Sequence, residues 1–388
     1  MATLRAIAML QASFPDSVAL PATEAYNERN GSYASKLESD ISPQAIFLPK
    51  NTDEVSQFVK LIGPLVQEGD VKFAIRGAGS QPLPGCANVQ GGITLDLGRL
   101  LGTTLDETQG VVRVAAGERW GAVYKTVQEK GLAVTGARSG NNGIGGLALS
   151  ETHVMISLFF ADQFSKAIGV DGAMGLNQAY YTQEVEKPAV LDPFTNIQPQ
   201  VEPLNSMRMT NLVAAAEEQA KQAMTGVRCA YMNTTVKADG PTLHAAAKTF
   251  EPALEKVRAI DGMVFSFTLQ PYLVSLLKRT EPAGGNVLGL NPADGPLVSI
   301  LILLYWNQQS DDELVLGTAR NVIEAIDKDA AARGTLVPYK YLNYAFDFQD
   351  PIGSYGQENR KKLQEASRKY DPDGLFQKEV PGGFKLFP

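Results

Sequence analysis

Histidine and cysteine are scarce: the 388 residues hold two of each, His153, His244, Cys86 and Cys229. Two cysteines cannot build a disulfide scaffold or a cysteine-rich zinc framework. Two histidines leave little for a multi-histidine centre, so no metal site is expected. Positive charge is also short, with 35 Lys and Arg against 42 Asp and Glu and a net charge of -7. A nucleic-acid binder needs a basic surface to neutralise phosphates, so that class is not expected. No apolar run approaches the about 20 residues of a membrane span. The most apolar stretch, Leu297–Trp306, is short, rich in β-formers, and reads as a buried strand. The mildly apolar N-terminus lacks a convincing small-residue cleavage site. It reads as an amphipathic first helix, and the expected location is cytoplasmic or otherwise intracellular. A chain of this length exceeds one simple core, so two or three domains of roughly 150 residues are expected.

What is present is a change of pattern near the middle. Residues 45–49 read as a strand, and Asn51-Thr-Asp-Glu-Val opens a helix with Thr52 or Asp53 as N-cap and apolar residues at Val55, Phe58, Val59 and Ile62. Residues 72–76, 91–97 and 111–117 read as further strands. Residues 120–130 read as a helix closed by Gly131 at its C-cap. Farther on, residues 152–160, 179–182, 263–270 and Leu297–Trp306 read as strands of one sheet. Helices at 209–225, 240–260 and 311–332 would cover one face of it. That order predicts an α+β protein with an antiparallel sheet and helices on one side. A last helix at 359–369 leads into the turn Tyr370-Asp-Pro-Asp-Gly374.

Two glycine clusters stand out. After Arg76 the chain runs through Gly77-Ala-Gly-Ser-Gln-Pro-Leu-Pro-Gly85. Glycine lets backbone N–H groups converge on an anion without Cβ obstruction, which suits a diphosphate. Pro82 stands where a dinucleotide fingerprint has its third glycine, and the Walker lysine is absent. Read alone, the loop stays either an anion cradle or a glycine-rich connection. The second cluster, Gly140 to Gly146, reads as a further backbone-lined wall or a flexible loop.

The runs Ile46-Phe-Leu-Pro-Lys-Asn-Thr-Asp-Glu-Val, Phe73-Ala-Ile-Arg-Gly-Ala-Gly-Ser-Gln-Pro and Gly85-Cys-Ala-Asn-Val-Gln-Gly-Gly-Ile-Thr-Leu-Asp-Leu carry a resemblance, as do Gly136-Ala-Arg-Ser-Gly-Asn-Asn-Gly-Ile-Gly-Gly-Leu, Tyr341-Leu-Asn-Tyr-Ala and Pro381-Gly-Gly-Phe-Lys-Leu. They resemble the FAD-binding PCMH-type family of vanillyl-alcohol oxidase and berberine-bridge-enzyme-like oxidoreductases, fungal members above all. The resemblance implies an FAD-binding domain over 1–150, a substrate domain over 151–340, and a C-terminal segment over 341–388 that packs back on the first domain. It assigns Arg76, Gly77, Ala78, Gly79, Ser80 and Gln81 to the FAD diphosphate. Arg138, Gly140, Gly143, Gly145 and Gly146 fall to the flavin and its ribityl chain, and Asn343 to the neighbourhood of the isoalloxazine. Two departures follow from the same likeness. Ser80 stands where many members carry the histidine that tethers the flavin. After Ser150 the chain passes at once to Glu151-Thr-His-Val, where members continue through a second half of the cofactor domain. FAD, if bound, is therefore expected to be non-covalent and weakly held.

Among side chains that carry chemistry, His153 reads either as a sheet histidine or as a general acid/base. His244 reads as a helix-surface residue, Cys86 as a small packing residue and Cys229 as core. Glu118 and Arg119 read as surface or capping residues. Tyr341, Asn343 and Tyr344 read as a polar cluster, with Tyr341 and Asn343 on one face of a strand. Gln270 ends an alternation of Phe265, Phe267 and Leu269 and would aim an amide into a substrate cavity. Three functions stay open. One is oxidation of a small aromatic or polyketide-type molecule of fungal secondary metabolism, with O2 as acceptor and Tyr341 as base. Another is flavin-independent cyclisation or isomerisation in the vacated cavity. The last is a non-catalytic remnant. The expected partner is a small-molecule substrate, and a homodimer covering exposed apolar surface stays open.

Overall fold

The structure, a computed structural model, describes residues 2–69, 71–147, 155–161, 174–181, 183–280, 282 and 285–387. A first sheet has the order β1 (Val18–Ala19), β2 (Ala45–Phe47), β4 (Ile93–Asp96), β3 (Phe73–Arg76). Strands β2 and β3 both run parallel to β4, while β1 pairs antiparallel with β2. Parallel strands are covered on both faces, so they carry apolar runs rather than alternation; Ala45, Ile46 and Phe47 are all buried. The helix Thr52–Gln67 makes the crossover between β2 and β3. Its Phe58, Ile62, Leu65 and Val66 pack with Ala6, Ile7 and Leu10 of the first helix, Ala2–Ser13, against Phe47, Phe73 and Ile93. The cap of that crossover helix is Asn51, not Thr52 or Asp53. Asn51 has extended backbone angles, and its side chain accepts a hydrogen bond from Glu54 N at 2.9 Å. The expected strand at 111–117 does not join this sheet. Instead β6 (Val111–Val114) pairs only with β5 (Thr103–Asp106) in a separate ribbon.

The second sheet is antiparallel throughout, in the order β12 (Leu336–Val337), β9 (Arg228–Lys237), β11 (Leu297–Trp306), β10 (Val264–Tyr272), β7 (Met155–Ala161), β8 (Met174–Gln178). The helices Gly240–Val257 and Asp312–Ala332 cover one face, as the pattern predicts, but the third helix expected there, at 209–225, is Leu212–Gln222 and packs its Ala216 on Trp120, Val123 and Tyr124 of the helix Trp120–Gln128 instead. Phe250 and Val257 from one helix and Val322, Ile323 and Ile326 from the other pack on Met232, Phe265, Phe267, Ile300 and Ile302. The Phe250 and Phe265 ring centroids lie 4.7 Å apart. Sequence pattern misses β9, whose Asn233, Thr234 and Thr235 interrupt its apolar residues. It also misplaces the strand expected at 179–182: the pairing residues are Met174–Gln178, and Ala179–Tyr181 are irregular.

The two sheets are joined through the short helix Lys36–Ser39. Ser35 Oγ accepts from Cys229 N at 3.0 Å and donates to Cys229 O at 2.9 Å, and Lys36 N donates to Val227 O at 3.0 Å. Leu37 and Leu83 enter the core of the second sheet. The C-terminal residues return to the first sheet, where Leu375 is buried among its core residues and Phe376 lies 6.2 Å from Phe73. No helix among the described residues is long and apolar enough to cross a membrane.

Candidate functional site

The two glycine loops meet. Gly143 N donates to Ser80 Oγ at 3.3 Å. A Cβ on Gly143 would stand 2.4 Å from Ala78 Cβ, and one on Gly77 would stand 3.9 Å from the Gly145 Cα. Absence of side chains is what permits this approach. Gly140 sits against Gly121, which donates to its carbonyl at 2.9 Å, and Gly140 N donates to Ala216 O at 3.0 Å. Arg119 bridges the loops, its guanidinium donating to Asn141 O and, at 3.4 Å, to Ala78 O. The backbone N–H groups of Ala78, Gly79, Ser80 and Gln81 find no acceptor among the described residues. Backbone N–H groups without protein acceptors, on a loop where glycine removes Cβ obstruction, can receive an anion. The loop thus fits the diphosphate that the sequence resemblance assigns to it.

Arg76 does not line that cradle. Its side chain is 1% exposed and turns beneath the loop. There it donates to Arg29 O and, at 2.8 Å, to Ser32 Oγ, lies 3.8 Å from the Tyr33 ring centroid, and pairs with Asp96 at 3.5 Å. Asp96 is held from its other side by Arg29 at 2.7 Å. Burial draws the Arg76 guanidinium below its ordinary range. Its Nε lacks a hydrogen-bond partner among the described residues. A Cβ on Gly79, whose φ is +70°, would stand 2.9 Å from that Nε. The arginine is therefore a buried support for the loop.

The face of the second sheet that the helices leave uncovered is polar. Register places Thr235, Ser299 and Gln270 side by side across β9, β11 and β10, then Asn233 and Thr268 on either side of Leu301, then Tyr231 and Ser266 on either side of Leu303, then Cys229 beside Tyr305. Strand alternation puts all of them on this one face. Against it lies the turn Leu342–Tyr344. Tyr341 and Asn343 do not share a strand, as their spacing suggested, because the segment is a single 3₁₀ turn that still brings them together. Asn343 Nδ2 donates to Tyr341 Oη at 2.9 Å. Tyr344 Oη receives Arg138 Nη2 at 3.0 Å and Gln270 Nε2 at 3.4 Å. The Tyr344 ring meets Tyr341 edge-on at 4.7 Å and Tyr231 at 5.6 Å. Asn233 anchors the turn, accepting from Tyr341 N at 2.8 Å and donating to Tyr341 O at 3.0 Å. Arg138 belongs to the second glycine segment, so one side chain links the cradle to the polar face.

Burial holds the Tyr231 hydroxyl protonated well above its ordinary range, and it pushes the Cys229 thiol up to about 12. Cys229 is therefore core, as expected. Burial, reinforced by the Glu38 carboxylate, also raises Cys86, so it does not act as a thiolate. His244 is exposed on the helix Gly240–Val257. His153 lies outside the described residues. Sequence reading missed Tyr231, Tyr305, Asn233, Thr235 and Ser299. The hydroxyls of Thr235 and Ser299 are buried without a partner among the described residues. Their signal was the polar alternation Tyr231, Asn233, Thr235 and Ser266, Thr268, Gln270 within otherwise apolar strands.

Residues 43–170 match the FAD binding domain family. The FAD-dependent monooxygenase tpcD of Cochliobolus heterostrophus is 27% identical over 413 residues, covering 81% of this chain and 80% of that protein. The FAD-dependent monooxygenase sdcF of Emericella nidulans is 25% identical over 476 aligned residues, covering 98% of each. That alignment is longer than the 388 residues of this chain, so sdcF holds residues within the aligned region that this chain lacks. Among solved structures, the glucooligosaccharide oxidase of Acremonium strictum superposes with a TM-score of 0.71 at 13% identity, covering 100% of both chains. The berberine-bridge-enzyme-like protein 1 of Physcomitrella patens gives 0.63 at 14% identity, covering 97% of this chain and 99% of that one. Residues 43–170 thus match an FAD binding domain, the chain is similar over its length to fungal FAD-dependent monooxygenases, and its fold is that of the glucooligosaccharide oxidase and the berberine-bridge-enzyme-like protein.

Proposed function

We propose that this chain binds FAD without a covalent tether and oxidises a small aromatic or polyketide-type molecule, with O2 as the final acceptor. One observation carries the reading: an anion cradle at residues 78–81 meets a second glycine loop, and Arg138 joins that loop to a polar sheet face bearing Tyr344 and Gln270. The N–H groups of Ala78 to Gln81 would hold the diphosphate, and Gly140 to Gly146 would form the wall beside the ribityl chain. Ser80 supports a non-covalent site, because a serine hydroxyl cannot replace an imidazole as the tethering nucleophile. The Acremonium strictum oxidase, by contrast, is described with a 6-S-cysteinyl, 8α-N1-histidyl FAD.

Bound FAD supplies a hydride acceptor. The chain's own residues position the substrate and take its proton. Tyr344 suits the base role better than Tyr341. Arg138 and Gln270 both donate to its oxygen, so two donors would hold that oxygen in place if, as phenolate, it took the substrate's proton and returned to the neutral phenol. Tyr341, fixed by Asn343 and Asn233, would orient the substrate edge. The test is the visible spectrum of protein purified with excess FAD. Flavin bands that persist through native gel filtration and vanish on denaturing gel filtration are expected, with peroxide release from accepted substrates. Bands that survive denaturation overturn the untethered site, and a colourless protein in saturating FAD overturns the whole reading.

The residues that sdcF has and this chain lacks favour a second reading. A shortened cofactor enclosure would leave flavin surface in water, and each ~100 Å² of apolar surface left exposed forfeits about 2.5 kcal/mol. Arg138, Gln270 and Tyr344 could then orient a flexible metabolite for cyclisation or isomerisation without redox chemistry. Turnover by flavin-free protein with no O2 consumption is its signature.

A further inference from the structure

Arg119 is exposed, and its guanidinium is paired with no carboxylate among the described residues. The neighbouring Glu118 carboxylate is committed to backbone, accepting from Gly102 N and Arg119 N, each at 3.0 Å. The guanidinium instead rests on two carbonyls, Ala78 O from the first glycine loop and Asn141 O from the second. A carbonyl is a weak partner for a cation that an anion could hold bidentately. Arg119 also stands at the N-terminal cap of the helix Trp120–Gln128 and makes no side-chain cap bond there. The loop it touches at Ala78 O carries the N–H groups of Ala78 to Gln81, which have no acceptor among the described residues. Arg29 and Arg76 share the single carboxylate of Asp96.

We propose that Arg119 is a clasp for the cofactor's diphosphate: its guanidinium leaves the Ala78 carbonyl for the bound diphosphate while keeping its hold on the second loop at Asn141. This rests on the FAD reading and adds to it a specific cationic ligand supplied from outside both glycine loops. No bond is made or broken in the exchange beyond hydrogen bonds.

The test is equilibrium titration of purified protein with FAD and with riboflavin, which shares the ring but lacks the diphosphate, followed by flavin fluorescence. Arg119→Ala should weaken FAD binding about 10- to 100-fold, the worth of a charge-assisted hydrogen bond to an ionised partner, and leave riboflavin binding unchanged. Arg119→Lys should recover part of the loss. Arg119→Gln, which can still donate to the carbonyls, should behave like the alanine variant. The salt dependence of FAD binding should also be shallower in the alanine variant than in the native protein. Equal affinity of native protein and Arg119→Ala for FAD overturns the clasp, as does an equal loss for FAD and riboflavin, which would mark a purely structural tie between the loops. Absence of FAD binding in the native protein overturns the FAD reading itself and the clasp with it. Native-like circular dichroism and melting of Arg119→Gln separate these outcomes from misfolding.

Discussion

Tyr344 illustrates how much a single atom's surroundings decide. Its hydroxyl receives Arg138 at 3.0 Å and Gln270 at 3.4 Å, whereas Tyr341 Oη receives Asn343 at 2.9 Å. Tyr344→Phe should lower the rate of flavin reduction by substrate about 10²- to 10⁴-fold, the usual worth of general base catalysis, with FAD affinity retained. Tyr341→Phe should cost much less. Stopped-flow reduction at several pH values checks both, and a Tyr344→Phe protein of native rate would remove the base role. Glu38 offers a second residue-scale test. Its carboxylate is fully buried and accepts from Gly85 N and, at 2.6 Å, Ala87 N. Burial raises its pKa to about 7 despite those two bonds. A carboxyl whose folded pKa lies above its unfolded value binds protons more tightly when folded, so its contribution to stability falls as pH rises through the window from about 4.5 to about 7. Melting temperature should therefore decline across that window, and Glu38→Gln should flatten the decline. An unchanged slope in the variant would show that other groups cause it.

At the scale of elements, the glycine loops work as a matched pair of surfaces. Gly143→Ala would drive a Cβ to 2.4 Å from Ala78 Cβ, whereas Gly146 has nothing within 4 Å of a Cβ. Gly143→Ala should cost about 1–3 kcal/mol of stability through overpacking and weaken FAD binding, while Gly146→Ala should stay within about 0.5 kcal/mol of the native protein. Thermal melts and FAD titration of the two variants side by side test the loop contact. Equal behaviour would mean the loops do not touch as described. The helices Gly240–Val257 and Asp312–Ala332 and the strand Leu297–Trp306 were legible because their apolar periods are long and clean. Strand Arg228–Lys237 was not, because one of its faces is Cys229, Tyr231, Asn233 and Thr235. A strand with one polar buried face looks like a surface loop until the segment that covers it is known.

For the molecule as a whole, one buried arginine joins the two sheets. Arg228 opens β9 and pairs with Asp40, at the end of the helix Lys36–Ser39, at 2.6 Å, and with both oxygens of Asp312, one of which also accepts from Trp306 Nε1 at 2.7 Å. Asp40 and Asp312 keep partial solvent access, so losing their partner costs less than stranding a dry charge. Arg228→Met should destabilise by about 1–3 kcal/mol. It should also loosen the contact between the glycine-loop unit and the polar sheet face, seen as faster hydrogen exchange at residues 35–40. Exchange there at the native rate would show that the junction rests on Leu37 and Leu83 instead.

What could be read along the chain were local devices: a glycine-rich loop after Arg76, the crossover helix, the apolar side of the second sheet that helices cover, and Ser80 at a position where many members of the resembled family carry a tethering histidine. Each depends on neighbours close in the chain or on a regular period. Tertiary structure alone decided which side chains meet. Arg76 follows a strand into the loop, yet faces Tyr33 and Asp96, whose ring and carboxylate partly offset the cost of burying its charge. Tyr341, Asn343 and Tyr344 form a turn rather than a strand. Arg138 and Tyr344 stand 206 residues apart and are brought to 3.0 Å by the packing of one sheet unit on the other. Arg119, read from sequence as a surface or capping residue, spans two loops that only folding sets side by side.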